Sequence, residues 1–370
     1  GIDSGAILDV TEMDAASNNG VDDVRMLRDE AIYSLEQGRT MYTSNAGLMD
    51  LKKEIARYLS RRFDLSYDPK SEMLITVGGS EAIDIAIRAI VNPQDEVLVV
   101  EPAFVCYAPI VEMASGIAVP IPTKAENHFK LTAQELREKI TDKTKMLVLP
   151  YPNNPTGAIM TREDLEEIAE VLRGTDIMVL SDEIYSEMTY GKKHCSIVEI
   201  DGMRERTILV NGFSKAFAMT GWRLGYVCAP APVIQQIVKI HQYIIMSSPT
   251  VSQYAAIEAL ENCEEDVKRM IKEYNLRRRY LVEAFNRIGM TCFNPEGAFY
   301  VFPSIQKTGM TSEEFCEKLL EEEKVAVVPG DAFGASGEGF VRVSYAYSLK
   351  HLMTAVERIT HFLENHGVKP

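Results

Sequence analysis

The sequence predicts an α/β protein, with a large domain built on a mostly parallel, buried sheet and a smaller α+β domain after it. Three observations lead there. Short apolar β-type runs alternate with amphipathic helical stretches from about residue 73 to 230. The runs are apolar throughout rather than alternating, as in strands covered on both faces. Past Gly289 the pattern changes to short strands and helices without that regular alternation. The predicted strands are Met73–Val77, Glu96–Val100, Lys145–Leu149, Ile177–Leu180, Thr207–Val210 and Gly225–Ala229. Between the first two, Ile83, Ala86, Ile87 and Ile90 recur at helical spacing. Thr132 with Glu135 reads as a capping box, and Thr161 with Asp164 as a weaker one. One long helix is expected over Val251–Arg287. A strand at Phe299–Phe302, a helix at Ser312–Glu322, strands at Ala326–Val328 and Phe340–Tyr345, and a last helix from Leu349 follow.

Composition narrows the function classes. A chain of 370 residues suits two domains. A net charge of −15 argues against binding nucleic acid or an anionic membrane. No apolar run approaches the ~20 residues that span a bilayer, and no secretory signal is visible. The six cysteines show no CxxC spacing and the six histidines no HExxH, so reduced core cysteines and the absence of a metal are expected.

In open α/β sheets, ligands bind beyond the carboxyl ends of the strands. The residues in those places are Gly78-Gly79-Ser80, Glu101-Pro102-Ala103-Phe104, Tyr151 to Gly157, Ser181-Asp182-Glu183-Ile184-Tyr185 and Asn211 to Lys215. Singly each has a plain reading: a turn, a helix cap, a core aromatic, a solvated lysine. Together they match a cofactor carrying a phosphate, an aromatic ring with a basic nitrogen, a phenolic oxygen and an aldehyde.

The run Asn211 to Tyr226, with Lys215 and Arg223 inside it, resembles the lysine segment of the class I/II aminotransferases of fold type I, of the aspartate and aromatic kind. Tyr151–Gly157, Ser181–Tyr185, Pro295–Tyr300 and Gly339–Ala346 resemble the same family, in the same order, and the likeness covers about residues 28–365. It implies a three-layer α/β/α large domain over 46–287, with 29–45 and 288–370 forming the small domain. It also implies a cytoplasmic homodimer with shared active sites, and pyridoxal 5′-phosphate as cofactor. Transamination between an L-amino acid and a 2-oxo acid is the implied reaction. A C–S lyase or racemase on the same fold, or a cofactor-binding protein with impaired turnover, are the alternatives.

The resemblance assigns roles position by position. Lys215 is the Schiff-base lysine and proton shuttle, Asp182 pairs with the ring nitrogen, and Asn154 and Tyr185 bond the phenolic oxygen. Phe104 stacks on the ring. Gly79, Ser80, Ser214 and Arg223 hold the phosphate, joined by Tyr42 reaching across from a neighbouring subunit. Arg342 binds the substrate α-carboxylate, with Asn154 beside it. Alternation along the strand around Arg342 turns it away from the Val341–Val343–Tyr345 stripe, as a cleft-facing residue requires.

Two departures stand out. Gly212 occupies a position where many relatives carry a phosphate-binding serine. Residues 1–28 form an atypical N-terminal arm: Asp9 to Arg25 resembles an internal piece of the bacterial DNA polymerase III clamp-loader gamma/tau subunit, which suggests a chimera. No GxxxxGK[ST] phosphate loop is present, so the fragment brings no clamp-loading chemistry. The arm puts the substrate side in question rather than the cofactor side.

Overall fold

The structure is a computed structural model in which residues 25–368 are described. The clamp-loader-like stretch therefore lies outside the described residues, apart from Arg25 at the start of the first helix. The chain opens with helices α1 (Arg25–Glu36) and α2 (Met49–Phe63). It then alternates β1 (Met73–Thr76), α3 (Gly79–Ile90), β2 (Glu96–Glu101), α4 (Tyr107–Met113), β3 (Ile117–Pro122), α5 (Ala133–Lys139), β4 (Thr144–Leu149), α6 (Arg162–Leu172) and β5 (Met178–Asp182). Strands β6 (Thr207–Gly212) and β7 (Gly225–Cys228) precede helices α7 (Ala231–Ile244), α8 (Thr250–Asn262) and α9 (Glu264–Arg287). The remainder is β8 (Tyr300–Val301), α10 (Ser312–Glu323), β9 (Val328–Pro329), β10 (Val341–Ser344) and α11 (Leu349–Asn365).

Seven strands form one sheet in the order β1-β7-β6-β5-β4-β2-β3. Its pairs are parallel from β6 through to β3, and only β7 runs against its neighbours β1 and β6. The strand side chains divide cleanly between two faces. Leu74, Val97, Val99, Met146, Val148, Leu180, Ile208 and Val210 pack with α3, α4 and α7 on one side. Met73, Ile75, Leu209 and Tyr226 pack with α2 and α8 on the other, where Leu98, Leu147 and Val179 meet α6. This is the expected three-layer arrangement, and its doubly covered sheet explains why the strands read as unbroken apolar runs. Both capping boxes, Thr132 with Glu135 and Thr161 with Asp164, are formed.

A second sheet, in the order β8-β10-β9, is antiparallel and packs with α9, α10 and α11 around Phe285, Phe315, Leu319 and Phe362. The expected single helix over Val251–Arg287 is two helices, broken at Cys263 (φ −102°, ψ 16°). Glu264, Glu265 and Asp266 occupy the first turn of α9, where acidic side chains favour a new helix start. Strand β3 and helix α7 were not anticipated. Helix α1 packs beside α2 and α8, where Leu27 shares a core with Leu51, Ile55 and Ala256, and further on Met41 O accepts from Thr250 Oγ1 at 2.6 Å.

Two glycines position the rim of the large sheet. Gly78 turns the chain from β1 into α3 at φ +87°, a backbone region that side chains disfavour. Gly225, the first residue of β7, lies so close to that turn that a Cβ there would sit 2.7 Å from Gly78 C and 3.1 Å from Asn211 O. The ends of β1 and β6 are thereby drawn against the start of β7.

Candidate active site

At that rim lies a cavity of about 1180 Å³, lined from both sheets. Ten of the eleven residues singled out from the sequence line it: Gly79, Ser80, Phe104, Asn154, Asp182, Tyr185, Ser214, Lys215, Arg223 and Arg342. Tyr42 does not, and its side chain is 82% exposed on the outer surface.

One end of the cavity is made by the start of α3. Its first-turn amides, at Gly79 and Ser80, have no helical partner and carry the positive end of the helix dipole. Glu81 secures the turn, accepting from Val77 N–H with one oxygen and pairing with buried His241 at 2.6 Å through the other. Arg223 leans over the same turn, held by a bond from Nη1 to Thr220 O at 3.0 Å. A Cβ at Gly78 would come within 2.8 Å of its Nη2, so a side chain there would push the guanidinium aside.

Asp182 ends β5 and is buried. Its Oδ2 accepts from Tyr107 Oη at 2.7 Å and its Oδ1 from Ile184 N–H at 3.1 Å. Burial pushes its carboxyl above the usual range, opposed by those two bonds. The next residue, Glu183, turns into a buried net with Ser181, Ser196 and His194 at 2.8, 2.6 and 2.6 Å, which anchors the strand end.

Lys215 sits on the loop between β6 and β7, its Nζ 5.9 Å from the Tyr185 ring centre and 5.6 Å from that of Phe299. Burial, and then the nearby Arg223 cation, push its amine down to about 8, with Asp182 opposing. A lysine so placed is about half neutral, and so available as a nucleophile, near pH 8. Tyr185 Oη lies 3.1 Å from Tyr300 Oη, and burial raises the phenol of Tyr185 above its ordinary range. Arg342 crosses from the small sheet: its Nη1 donates to Asn154 Oδ1 at 2.8 Å, and its guanidinium lies 4.6 Å from the ring centres of both Tyr300 and Phe333.

These groups suit a phosphorylated pyridine aldehyde. A helix start and a cation meet an anion, a buried carboxylate can face a ring nitrogen, and a depressed lysine can engage an aldehyde. A buried arginine can meet a carboxylate. Among the described residues no cluster of side chains is arranged to hold a metal ion, and no helix is long and apolar enough to cross a membrane.

Sequence reasoning missed Tyr107 and gave no role to Tyr300 or Phe333. Tyr107 reads as core, because Tyr107, Ile110 and Val111 fall at helical spacing. Its position three residues after Phe104 was the only signal. Phe333 belongs to a loop whose approach to Arg342 is purely tertiary.

Comparison with known proteins agrees with this geometry. The sequence model of the family described as aminotransferase class I and II matches residues 7–359. The protein YugH of Bacillus subtilis is 53% identical over 337 residues, which are 91% of this chain and 87% of that one. An aspartate aminotransferase of Pyrococcus abyssi is 45% identical over 340 residues, 91% and 87% of the two chains. The crystal structure of an aromatic aminotransferase from Pyrococcus horikoshii superposes with a TM-score of 0.91 at 44% identity, covering 92% of each chain.

Proposed function

This chain belongs to the class I and II aminotransferases and is a pyridoxal-phosphate-dependent transaminase, and on that premise we propose how its own residues divide the work. The convergence of Lys215, Asp182 and Arg342 on one cavity from three separate loops and strands carries the reading. When bound, pyridoxal phosphate supplies an electrophilic carbonyl and a ring that takes up the electrons released at the substrate Cα.

The first turn of α3, Ser80, Ser214 and Arg223 hold the phosphate. Phe104 would lie against one face of the ring, Asp182 would keep its nitrogen protonated, and Asn154 and Tyr185 would bond its phenolic oxygen. Arg342 grips the α-carboxylate of the amino acid, and later of the 2-oxo acid, through two parallel N–H bonds. Its flanking by Tyr300 and Phe333 keeps water from that pair and strengthens it. Lys215 Nζ would hold the cofactor's carbonyl end and, once the amino acid occupies the cavity, would take the proton from its Cα. Its lowered affinity for protons suits a base working near neutral pH.

The working unit we infer is a homodimer. Met41, Tyr42, Tyr243 and Ile244 are exposed, and the two segments are tied together by Asn45 Nδ2 donating to Gln242 Oε1 at 3.3 Å. A surface of this kind is suited to a second copy, and Tyr42 would reach that copy's phosphate site. All six cysteines are free, in keeping with a reducing compartment. We also infer that residues 1–28 are a foreign arm, on their likeness to the clamp-loader subunit, although the family match begins within them at residue 7. Such an arm would weaken closure over the substrate and leave cofactor binding intact.

The test is the visible absorption of the purified protein, recorded with a panel of amino acids and then with a 2-oxo acid. Absorption that falls with certain amino acids and returns with the oxo acid identifies the substrates and supports the assignment. A Lys215→Ala protein that gives the same cycle would sink it.

A further inference from the structure

We propose that Tyr107 is a positioning residue that fixes Asp182 towards the cofactor's ring nitrogen and Phe104 across the ring's face, an inference that rests on the pairing of Asp182 with that nitrogen.

Tyr107 is the first residue of α4, is only 2% exposed, and lies between the two groups in question. Its hydroxyl donates to Asp182 Oδ2 at 2.7 Å, while its ring meets Phe104 edge-on, with centres 6.2 Å apart and planes at 83°. Asp182 Oδ1 is held independently by Ile184 N–H. Each carboxylate oxygen thus has one fixed donor, so the group cannot rotate, and each oxygen keeps a further acceptor site. Asp182 itself lines the cavity.

The donor role of Tyr107 is secure. Burial, and then the neighbouring Asp182 charge, hold its phenol well above the ordinary range, so the proton stays on oxygen. Tyr107 is also the one side chain whose hydrogen bond counters the effect of burial on Asp182. Without it the carboxylate would be less securely ionised and free to turn away from the ring. The edge-on ring contact does for Phe104 what the hydroxyl does for Asp182: it leaves one orientation. One side chain therefore sets two of the surfaces that a pyridine ring would meet.

The experiment compares Tyr107→Phe with the unaltered protein, titrating each cofactor-free form with pyridoxal phosphate and with its analogue bearing C–H in place of the ring nitrogen. Phenylalanine keeps the ring contact and removes only the hydroxyl. The proposal expects binding of pyridoxal phosphate to weaken by about ten-fold, the size of a lost bond to a charged group, and binding of the analogue to stay unchanged. In the reconstituted holoenzyme, kcat falls while KM for the 2-oxo acid holds, since Arg342 is untouched. An equal loss with both ligands would assign Tyr107 to packing alone and overturn the proposal, as would no loss with either. Asp182→Asn, titrated in parallel, separates the two levels. If it too fails to distinguish the ligands, the underlying pairing is wrong, whatever Tyr107→Phe does.

Discussion

Arg342, on a strand of the small sheet, and Asn154, on the loop that follows β4 of the large one, meet at 2.8 Å, the guanidinium Nη1 donating to the amide Oδ1. That bond joins the strand that would hold the substrate's carboxylate to the loop that would hold the cofactor's phenolic oxygen. It also leaves Nδ2 as the donor of that amide, the polarity needed to bond a phenolate.

Arg342→Lys retains the charge but cannot present a planar fork or fill the space between Tyr300 and Phe333. We expect kcat/KM for amino acid and oxo acid to fall by about 100-fold, carried mainly by KM. The dissociation constant for pyridoxal phosphate should rise far less, by about five-fold at most, because, of the cofactor's contacts, only the Asn154 amide loses a bond. Steady-state kinetics and a cofactor titration of the same preparation check both halves.

The pH dependence of cofactor uptake follows from Lys215. Its folded value, about 8, lies below that of a free lysine, so the amine becomes neutral and nucleophilic as pH rises through 8. The rate at which cofactor-free protein takes up pyridoxal phosphate should climb through that pH and then level off. Arg223→Gln removes a cation that favours loss of the proton, so the midpoint should move up. Asp182→Asn removes an anion that favours its retention, so the midpoint should move down. Stopped-flow absorbance across pH 6 to 10 reads all three, and a midpoint indifferent to both changes would refute the electrostatic account.

Much of this site was legible because its residues follow strands at fixed places in the chain. Lys215, Asp182, Asn154 and Gly79 each sit just past an apolar run, and a doubly covered parallel sheet gathers such positions on one edge. The parts that were not legible depend on contacts between distant segments. Tyr107 carries the pattern of a core helix residue until the fold brings Asp182 to its hydroxyl. Strand β3 went unseen because it is an edge strand: Ile117 and Pro120 are exposed, and Pro120 and Pro122 argue against a strand except where an N–H is not needed. The break at Cys263 has no proline or glycine to mark it; only the three acidic residues after it hint at a second helix.

Gly212→Ser would supply the phosphate-binding hydroxyl that the family resemblance leads one to expect at this position, and we expect it to harm the protein. A Cβ at 212 would lie 2.9 Å from Gly225 Cα and 3.1 Å from Ile184 Cδ1. Overpacking against backbone of this kind costs about 1–3 kcal/mol. Thermal melting should show the loss, and a cofactor titration should show no gain in affinity. A stable variant that binds more tightly would mean the β6–β7 contact opens easily.

Shared sites can be tested by mixing subunits. Lys215→Ala and Tyr42→Ala proteins should each be impaired, the first completely and the second by about ten-fold in cofactor affinity, as for loss of a bond to phosphate. In a mixed dimer one site then combines an intact Lys215 with the intact Tyr42 of its neighbour. Wild-type affinity reappearing in half the sites of the purified hybrid supports sharing; its absence assigns Tyr42 to its own subunit or to none.

The reversed strand β7 has a consequence for alignment. Because it runs against its neighbours, the loop entering it delivers Lys215 and Arg223 to the same rim, and a slip of two residues in its pairing would carry Arg223 about 7 Å along the sheet. Such a slip keeps every side chain on its own face, so the apolar pattern alone does not forbid it. Gly225 does. Of the four residues Gly225, Tyr226, Val227 and Cys228, it is the only one without a Cβ to strike Gly78 and Asn211 at that point. The rim is gauged by an absent methyl group, and the spacing of Lys215 and Arg223 is set at a place where nothing larger than hydrogen fits.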